Sequence, residues 1–275
     1  MSLSVPDFEY VTQLLLDKAA IRVNSSQEYL VRSRLEPLAK QSGLPDLTAL
    51  VEQLRKQPFG ELHKRVIEAM TTNETSFFRD VHPWDTLKLH VLPELLKRKT
   101  DRTLRVWSAA CSTGQEAYSM AMMLSDMPAL TGYRIQILAT DLSRTTLDKA
   151  QQGIYSSLEV GRGLPARALA LHFERVGTSF QVRSNLRSMI EWKQLNLASR
   201  WPSMPTFDVV FIRNVLIYFG PSTVESVLQN VRTAMHPYGA LFLGTTENML
   251  GLNTGFESVT SGKTIYYRPQ TGRRP

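Results

Sequence analysis

The sequence contains a single cysteine, Cys111, so no disulfide can form within the chain. One cysteine also excludes zinc sites built from four cysteines or from two cysteines and two histidines. The N-terminal residues lack the basic region of a secretory signal, and the longest apolar stretch, residues 209–219, is shorter than the roughly 20 residues that a bilayer requires. We therefore expect a cytoplasmic protein with no membrane insertion and no metal.

Glycine and proline are also sparse, with 15 and 14 among 275 residues, which excludes a low-complexity chain. Apolar residues make up 43% and charged residues 21%, as in ordinary globular proteins. The net charge of +7 is concentrated in residues 160–200, which hold seven basic and two acidic side chains, whereas residues 1–70 hold nine of each. A basic segment of this kind suits either nucleic acid or an acidic protein surface.

The pattern of apolar residues changes along the chain. Residues 6–70 have helical spacing, and Ser25 and Glu28 form a capping-box pattern before one helix. From about residue 103, short apolar strands alternate with helical segments, which predicts a doubly wound α/β sheet. We predict a small all-α domain over 1–72 and a Rossmann-like domain over 73–275. A small β-rich subdomain is expected as an insertion over about 154–188.

Two predicted strand ends carry residues that suit an adenosine ligand. A turn of small residues ending at Gly114 follows the first strand, and Asp141 ends the second, near the spacing at which an acid binds ribose hydroxyls. Phosphate-binding glycine motifs are absent, so adenosine without phosphates, as in S-adenosylmethionine, is the favoured ligand. A structural turn beside a surface aspartate explains the same residues equally well.

Two further strand ends add polar residues at the same edge of the predicted sheet. Asn196 and Leu197 follow the third strand, and their amide and apolar groups suit the edge and face of adenine. Arg213 and Asn214 interrupt the apolar run of the fourth strand, where unpartnered polar groups would be costly. Ligand contacts and mutual bracing of the sheet are both compatible with this pair.

The residues around the fourth strand also bear on the methyl acceptor. No Asn/Asp-Pro-Pro-Tyr/Phe loop is present to orient a nitrogen, and no cysteine follows a proline, as cytosine methylation would need. An oxygen acceptor is therefore favoured. Ahead of the sheet, we assign Phe77 and Phe78 to the core and Arg79 to the site.

Three segments resemble the signatures of the bacterial chemotaxis receptor methyltransferases, the CheR family. They are TNETSFFR at 72–79, ACSTGQEAYS at 110–119 and RNVLIYF at 213–219. The resemblance covers nearly the whole chain, including the helical domain and the insert. It implies an enzyme that transfers methyl groups from S-adenosylmethionine to glutamate carboxylates in the cytoplasmic helical region of chemotaxis receptors. We expect it to act as a monomer and without nucleic acid.

The resemblance also implies which residues form the site. Contacts with S-adenosylmethionine would fall on Asn73, Thr75, Arg79, Glu116, Asp141, Asn196, Leu197, Arg213 and Asn214. Tyr218 would lie near the acceptor, and Arg79 and Tyr218 are the expected catalytic residues.

The chain departs from the family pattern in two places. Gln115 and Ala117 replace a usual glutamate and proline, but Glu116 between them is kept. Family members that dock on a receptor's C-terminal pentapeptide carry a longer, glycine-rich loop where this chain has only residues 176–180. We therefore expect recognition that does not depend on the pentapeptide.

Other charged residues suggest how a partner could be recognised. Arg32, Arg34 and Lys40 of the helical domain could steer an acidic partner, although a solvated helix face would look the same. The alternative to a receptor methyltransferase is an RNA or DNA methyltransferase that uses the basic insert.

Overall fold

The computed structural model describes residues 3–270, so the predicted domain end at 275 lies outside the described residues. The first part of the chain is a bundle of four helices, α1 to α4, which span Val5–Ala19, Glu28–Gln41, Leu47–Lys56 and Glu61–Met70. Leu15, Leu35 and Leu50 are fully buried in a core that these helices share. Ser4 and Asp46 start α1 and α3 by accepting backbone N–H groups.

The start of α2 differs from the predicted capping box. The side-chain oxygen of Gln27 accepts the N–H of Asn24 at 3.1 Å, and a short 3-10 turn over Ser25–Gln27 precedes the helix. Glu28 is therefore the first residue of α2 rather than the capping partner. The predicted capping box, Ser25 to Glu28, therefore lies one residue after the observed contact between Asn24 and Gln27. The side-chain amide of Gln27 can reach back to a backbone N–H as a glutamate side chain does.

The second part of the chain contains a seven-stranded sheet, and its strand order is β6-β2-β1-β7-β8-β10-β9. In chain order the ten strands β1 to β10 span Thr103–Ala109, Arg134–Asp141, Ile154–Ser156, Phe173–Val176, Ser179–Val182, Ile190–Gln194, Phe207–Ile212, Met235–Leu243, Phe256–Ser261 and Thr264–Pro269. The five strands from β6 to β8 pair in parallel, whereas β10 is antiparallel to both β8 and β9.

Helices cover both faces of this sheet, which confirms the predicted fold class. Helices α5 to α12 span Val81–Thr86, Leu92–Arg98, Gln115–Ser125, Arg144–Gln152, Ser157–Gly161, Ala166–His172, Ser184–Arg187 and Pro221–Thr233. Alternate residues of β1 enter opposite cores: Val106 packs in the core that includes α7, and Trp107 in the core that includes α12. No helix within residues 3–270 has the length and apolar character needed to cross a bilayer.

Helices α5 and α6 were not predicted from the sequence. A π-helical turn over Leu87–Val91 joins them, and this irregular stretch weakens the periodicity on which such a prediction depends. The indole of Trp84 on α5 stacks on Phe211 of β7 with ring centroids 5.1 Å apart. The contact fixes the segment that follows Arg79 against the sheet.

The insertion contains a second, antiparallel sheet with the order β3-β5-β4, as the predicted β-rich subdomain requires. Only Gly177 and Thr178 connect β4 to β5. The insertion also contacts the segment before the sheet: a Cβ at Gly163 would collide with the carbonyl oxygen of Phe77, and Arg162 pairs with Glu74 at 2.8 Å. Glycine at 163 therefore permits close packing of the insert on that segment.

Candidate active site

A cavity lies at the carboxyl ends of the central strands. The chain runs from β1 to β2 on one side and later returns to β7 on the other, so the cavity sits where the strand order reverses, as ligand sites in such sheets do. Its empty volume is about 990 Å³ including the open mouth. All ten residues expected from the sequence line it: Asn73, Thr75, Arg79, Glu116, Asp141, Asn196, Leu197, Arg213, Asn214 and Tyr218.

The turn after β1 has an unusual backbone. Ala110 and Ser112 have φ angles of 60° and 51°, a left-handed region that costs free energy for residues with a side chain. Gly114 has a φ of 94°, and a Cβ there would lie 2.9 Å from that of Ala150. The turn is thus a strained structure, and strain of this kind concentrates at functional sites.

The Asp141 carboxylate holds this turn in place. Oδ2 accepts the N–H of Ser112 at 2.7 Å, and Oδ1 accepts the N–H of Ser143 at 3.0 Å. Burial raises the pKa of Asp141, while the backbone donors act in the opposite direction. A carboxylate offers about four acceptor positions. Leu142 and the longer contact from Thr146 supply further donors, so this carboxylate is well satisfied within the protein.

Glu116 and Arg213 form the centre of a buried ionic network. Arg213 Nη1 lies 3.2 Å from Glu116 Oε2, and its Nη2 lies 2.7 Å from Asp80 Oδ2. Ser108 donates to the other oxygen of Glu116 at 2.7 Å. Burial raises the pKa of Glu116, the charge of Arg213 partly offsets this, and the charge of Glu247 raises it further. Glu116 and Arg213 were expected at the site from the sequence, whereas Asp80 was not.

Arg213 is also the best buried cation of the cavity wall. Its side chain is 1% exposed, and its Nε has no hydrogen-bond partner among the described residues. A buried donor without a partner is uncommon in folded proteins, and it is a natural position for a ligand acceptor. Arg213 therefore braces the site, and its Nε is left without a partner among the described residues.

The helical domain contributes directly to the cavity. Ala19, Ile21 and Met70 line it. The amide of Asn196 donates to the carbonyl of Lys18 at 2.6 Å, and its oxygen accepts the N–H of Ala198 at 3.0 Å. The side chain expected to meet an adenine edge is therefore engaged with the protein, and it ties the loop after β6 to the end of α1.

A second contact between the two parts of the chain starts α8. The Glu68 carboxylate on α4 accepts the N–H of Arg144 at 2.8 Å and the hydroxyl of Thr145 at 2.9 Å. A carboxylate at a helix N-terminus satisfies free N–H groups and complements the helix dipole. The helical domain is thereby docked beside Asp141.

The segment over residues 70–79 is held from three directions. Arg34 donates to the carbonyls of Met70 and Thr71 at 2.7 and 3.1 Å, and to the hydroxyl of Thr72 at 3.0 Å. Its guanidinium thus has a structural role, and because all three acceptors are neutral the steering role suggested from the sequence stays a prediction.

The core and the segment itself supply the other contacts. Ser112 donates to the carbonyl of Asn73 at 2.9 Å, and Arg79 Nη1 donates to the carbonyl of Glu74 at 3.1 Å. The pKa of Glu74 is lowered by its hydrogen bond and ion pair with Arg162. These contacts keep Asn73, Thr75 and Arg79 at the cavity wall.

The loop after β7 is organised by a residue that the sequence analysis missed. The Glu247 carboxylate accepts the backbone N–H groups of Gly244, Asn214, Val215 and Leu216 at 2.7–2.9 Å. No local pattern marks this glutamate, because its partners lie mostly about 30 residues earlier in the chain. The loop it holds carries Tyr218 to the cavity.

Both parts of the chain match models of one family. Residues 6–71 match the CheR methyltransferase all-alpha domain, and residues 73–265 match the CheR methyltransferase SAM-binding domain. The chain belongs to the CheR methyltransferase family.

Relatives of similar length agree with this membership. Chemotaxis protein methyltransferase Cher2 of Pseudomonas putida is 38% identical over 98% of this chain and 99% of its own length. Chemotaxis protein methyltransferase 1 of Pseudomonas aeruginosa is 40% identical over the same shares. Chemotaxis protein methyltransferase of Salmonella typhimurium is 33% identical over 97% of this chain and 91% of its own length.

Family membership makes this chain a methyltransferase that uses S-adenosylmethionine, as the sequence predicted. The cavity wall carries groups of the kinds that such a molecule would need: the carboxylates of Glu116 and Asp141 and the guanidinium of Arg213. Among residues 3–270, no group of three or more His, Cys, Asp or Glu side chains could hold a metal ion.

Proposed function

We propose that this CheR family member transfers methyl groups to glutamate carboxylates of chemotaxis receptors and so forms glutamyl methyl esters that adapt the sensory response. The observation that carries the proposal is the placement of Arg79 and Tyr218 in the same cavity as the proposed cofactor residues. The names of the relatives, which are chemotaxis protein methyltransferases, support it. So does the lack of sequence features that would orient a nitrogen or carbon acceptor.

We propose that the cofactor contacts the residues expected from the sequence. Asp141 would accept a ribose hydroxyl in competition with its donors from the protein, while Glu116 and Arg213 would face the amino and carboxylate groups. Leu197 would pack on the adenine, with Asn196 holding that wall through Lys18. The full proposed set is Asn73, Thr75, Arg79, Glu116, Asp141, Asn196, Leu197, Arg213 and Asn214.

The proposed reaction needs no general base. S-adenosylmethionine supplies a methyl group on sulfonium sulfur: an acceptor oxygen bonds to the methyl carbon as the carbon–sulfur bond breaks, leaving its electron pair on sulfur. A glutamate side chain, with a pKa of about 4.3, is already ionised at neutral pH. Alignment of the carboxylate can therefore supply much of the rate, up to about 7–11 kcal/mol.

Arg79 and Tyr218 are the residues that we propose orient the acceptor. Arg79 is partly buried, and only Nη1 has a hydrogen-bond partner among residues 3–270, the carbonyl of Glu74 at 3.1 Å. The rest of its guanidinium can face a carboxylate. Contact must stay moderate, because tight binding of the ground state slows transfer.

Recognition is proposed to use the receptor's helical region rather than its C-terminal pentapeptide. The β4–β5 connection is only Gly177 and Thr178, which leaves little room for a separate tail-binding loop. The positive charge of residues 160–200 suits an acidic receptor surface, although Arg162 and Lys193 are already paired with Glu74 and Glu191. In the helical domain, Lys40 is exposed.

The test is transfer of labelled methyl groups to receptor-rich membranes. The wild-type protein should label receptor bands, and mild base should release the label as volatile methanol, because carboxyl esters hydrolyse where methylated amines do not. Label that survives base, or labelling of membranes without receptors, would contradict the proposal.

We further propose a monomer that acts in the cytoplasm and does not bind nucleic acid. The ion pair of Arg162 in the insert with Glu74 supports the last point, because it neutralises part of the positive charge there. Sedimentation should give a single species near 31.1 kDa. Strongly salt-dependent binding to RNA or DNA, together with base-stable label on it, would favour the alternative of a nucleic acid methyltransferase.

A further inference from the structure

The loop after β7 depends on one carboxylate outside it. Glu247 Oε2 accepts the N–H groups of Gly244 and Asn214 at 2.7 and 2.8 Å, and Oε1 accepts those of Val215 and Leu216 at 2.9 and 2.7 Å. Four donors match the acceptor capacity of an ionised carboxylate, and no neutral side chain offers as much. Negative charge also makes each of these hydrogen bonds stronger than one to a neutral oxygen.

The backbone at this loop needs such support. Asn214 has a φ of 59°, a left-handed conformation that asparagine tolerates better than most residues and that the hydrogen bond from its N–H to Glu247 stabilises here. Gly244 allows the approach, because a Cβ there would lie 2.7 Å from Glu247 Oε2 and 2.9 Å from the backbone nitrogen of Asn214. The geometry of residues 214–216 is thus set by Glu247 rather than by the loop itself.

The two ends of the loop are held independently. Arg213 is anchored by Asp80 and Glu116, whichever conformation the following residues adopt. Beyond it, Tyr218 N–H bonds within the loop to the carbonyl of Val215 at 3.2 Å, and the Tyr218 carbonyl accepts the N–H of Arg22 at a longer 3.5 Å. The position of Tyr218 therefore depends mainly on that of Val215. Disturbing Glu247 should therefore displace Asn214 and Tyr218 while leaving Arg213 in place.

We propose that Glu247 is a positioning residue for methyl transfer: it fixes residues 214–216 and thereby aims Tyr218 at the acceptor. The inference rests on the proposed role of Tyr218 beside the acceptor carboxylate. It assigns a kinetic role to a glutamate that contacts only backbone N–H groups.

The test compares Glu247→Gln, Glu247→Asp and the wild type, with Glu257→Gln as a matched control on the exposed surface of β9. Amide hydrogen exchange of a peptide over residues 213–218 reports the loop, calorimetry reports S-adenosylmethionine affinity, and labelled methyl transfer to receptors reports turnover. The glutamine variant replaces one acceptor oxygen by an NH₂ group that faces N–H donors. The aspartate variant keeps the charge on a side chain one methylene shorter.

In Glu247→Gln we expect faster amide exchange over residues 213–218 and a turnover about 100-fold lower, the size of effect that a small misplacement can produce. The affinity for S-adenosylmethionine should fall much less, because Asn214 is the only one of the nine proposed cofactor contacts that the variant displaces. Glu247→Asp should recover part of the rate, and Glu257→Gln should match the wild type.

Wild-type exchange in the 213–218 peptide of Glu247→Gln would overturn the inference, and so would a turnover equal to that of Glu257→Gln. A loss of affinity as large as the loss of rate would also overturn it, because a merely structural role damages both together. If the glutamine variant does not fold, the same comparisons apply to Glu247→Asp. If the wild type labels no receptor, the proposed function fails, whereas the exchange comparison still decides whether Glu247 holds the loop.

Discussion

Replacement of Asp141 by alanine is the most direct test of the proposed ribose contact. Asp141 is 7% exposed, and its carboxylate accepts the N–H groups of Ser112 and Ser143. A hydrogen bond to a charged group contributes about 1.5–3 kcal/mol, so losing the one to ribose should weaken S-adenosylmethionine binding about 10- to 150-fold. The substitution also leaves two backbone N–H groups without acceptors. We therefore expect a lower thermal midpoint for the ligand-free protein.

Two effects on binding must be separated, because the carboxylate also shapes the turn after β1. Calorimetry should compare S-adenosylhomocysteine with an analogue that lacks both ribose hydroxyls. If Asp141 binds ribose, Asp141→Ala should lower the affinity for the natural ligand and change that for the analogue much less. Asp148→Ala is the matched control, since this aspartate lies exposed on α8 and pairs with Arg144.

Unchanged affinity of Asp141→Ala for S-adenosylhomocysteine would refute the assignment of the adenosine site. An equal loss for both ligands would leave the site in place but restrict Asp141 to holding the turn. Asp141→Asn should fall between the wild type and the alanine variant, because one acceptor oxygen is kept.

Four further predictions concern other parts of the molecule. Arg79→Ala should lower turnover about 100-fold with an unchanged circular dichroism spectrum, and a near-normal rate would remove Arg79 from the site. Burial raises the pKa of Glu116, so S-adenosylmethionine affinity should fall on acidification at a higher pH than for an ordinary glutamate, and Glu116→Gln should flatten that profile. The stability of the ligand-free protein should change in the opposite direction. Because the pKa of Glu116 is higher in the folded than in the unfolded state, its contribution to the free energy of unfolding decreases as the pH rises through the folded-state pKa. Asp208 lies at the amino end of β7, and its carboxylate is the buried partner of Lys99, 2.9 Å away. Asp208→Asn should lower the free energy of unfolding in urea by about 3–5 kcal/mol without changing the ligand affinity of the folded protein. A decrease below about 1 kcal/mol would contradict this. Receptors with and without their C-terminal pentapeptide should be methylated at similar rates, and tight binding of the isolated peptide would show that the short β4–β5 turn does not prevent docking.

The strands and their ends were accessible from the sequence. Burial on both faces makes the strands of a parallel sheet short apolar runs, and the polar residues that follow them must gather at one edge. This is why the sequence pattern alone places Asp141, Asn196 and Arg213 around one cavity. The division at residues 72 and 73 remains a prediction. Helices α5 and α6 were missed because a π-helical turn breaks their period.

Hydrogen bonds between residues far apart in the chain could be identified only from the tertiary structure. The sequence places Arg34 on a helix surface, yet its guanidinium holds the segment that carries Arg79. It also suggests an adenine contact for the Asn196 amide but not that this amide donates to the carbonyl of Lys18. In both cases the polar group meets backbone carbonyls, and these carry no residue-specific mark in a sequence.

The sequence by itself determined the alternation of helices and strands and the inserted sheet, because these follow from local periodicity. Strand ends indicated some of the side chains around the cavity, whereas others, such as Glu116 and Tyr218, were expected only from the resemblance to the CheR family. Only the tertiary structure decided what each side chain does there. Asp80 meets Arg213 from 133 residues away, and Glu247 meets Leu216 from 31. Hydrogen bonds over such separations exist only once the strands are paired and the helical domain is docked, so no local pattern can encode them.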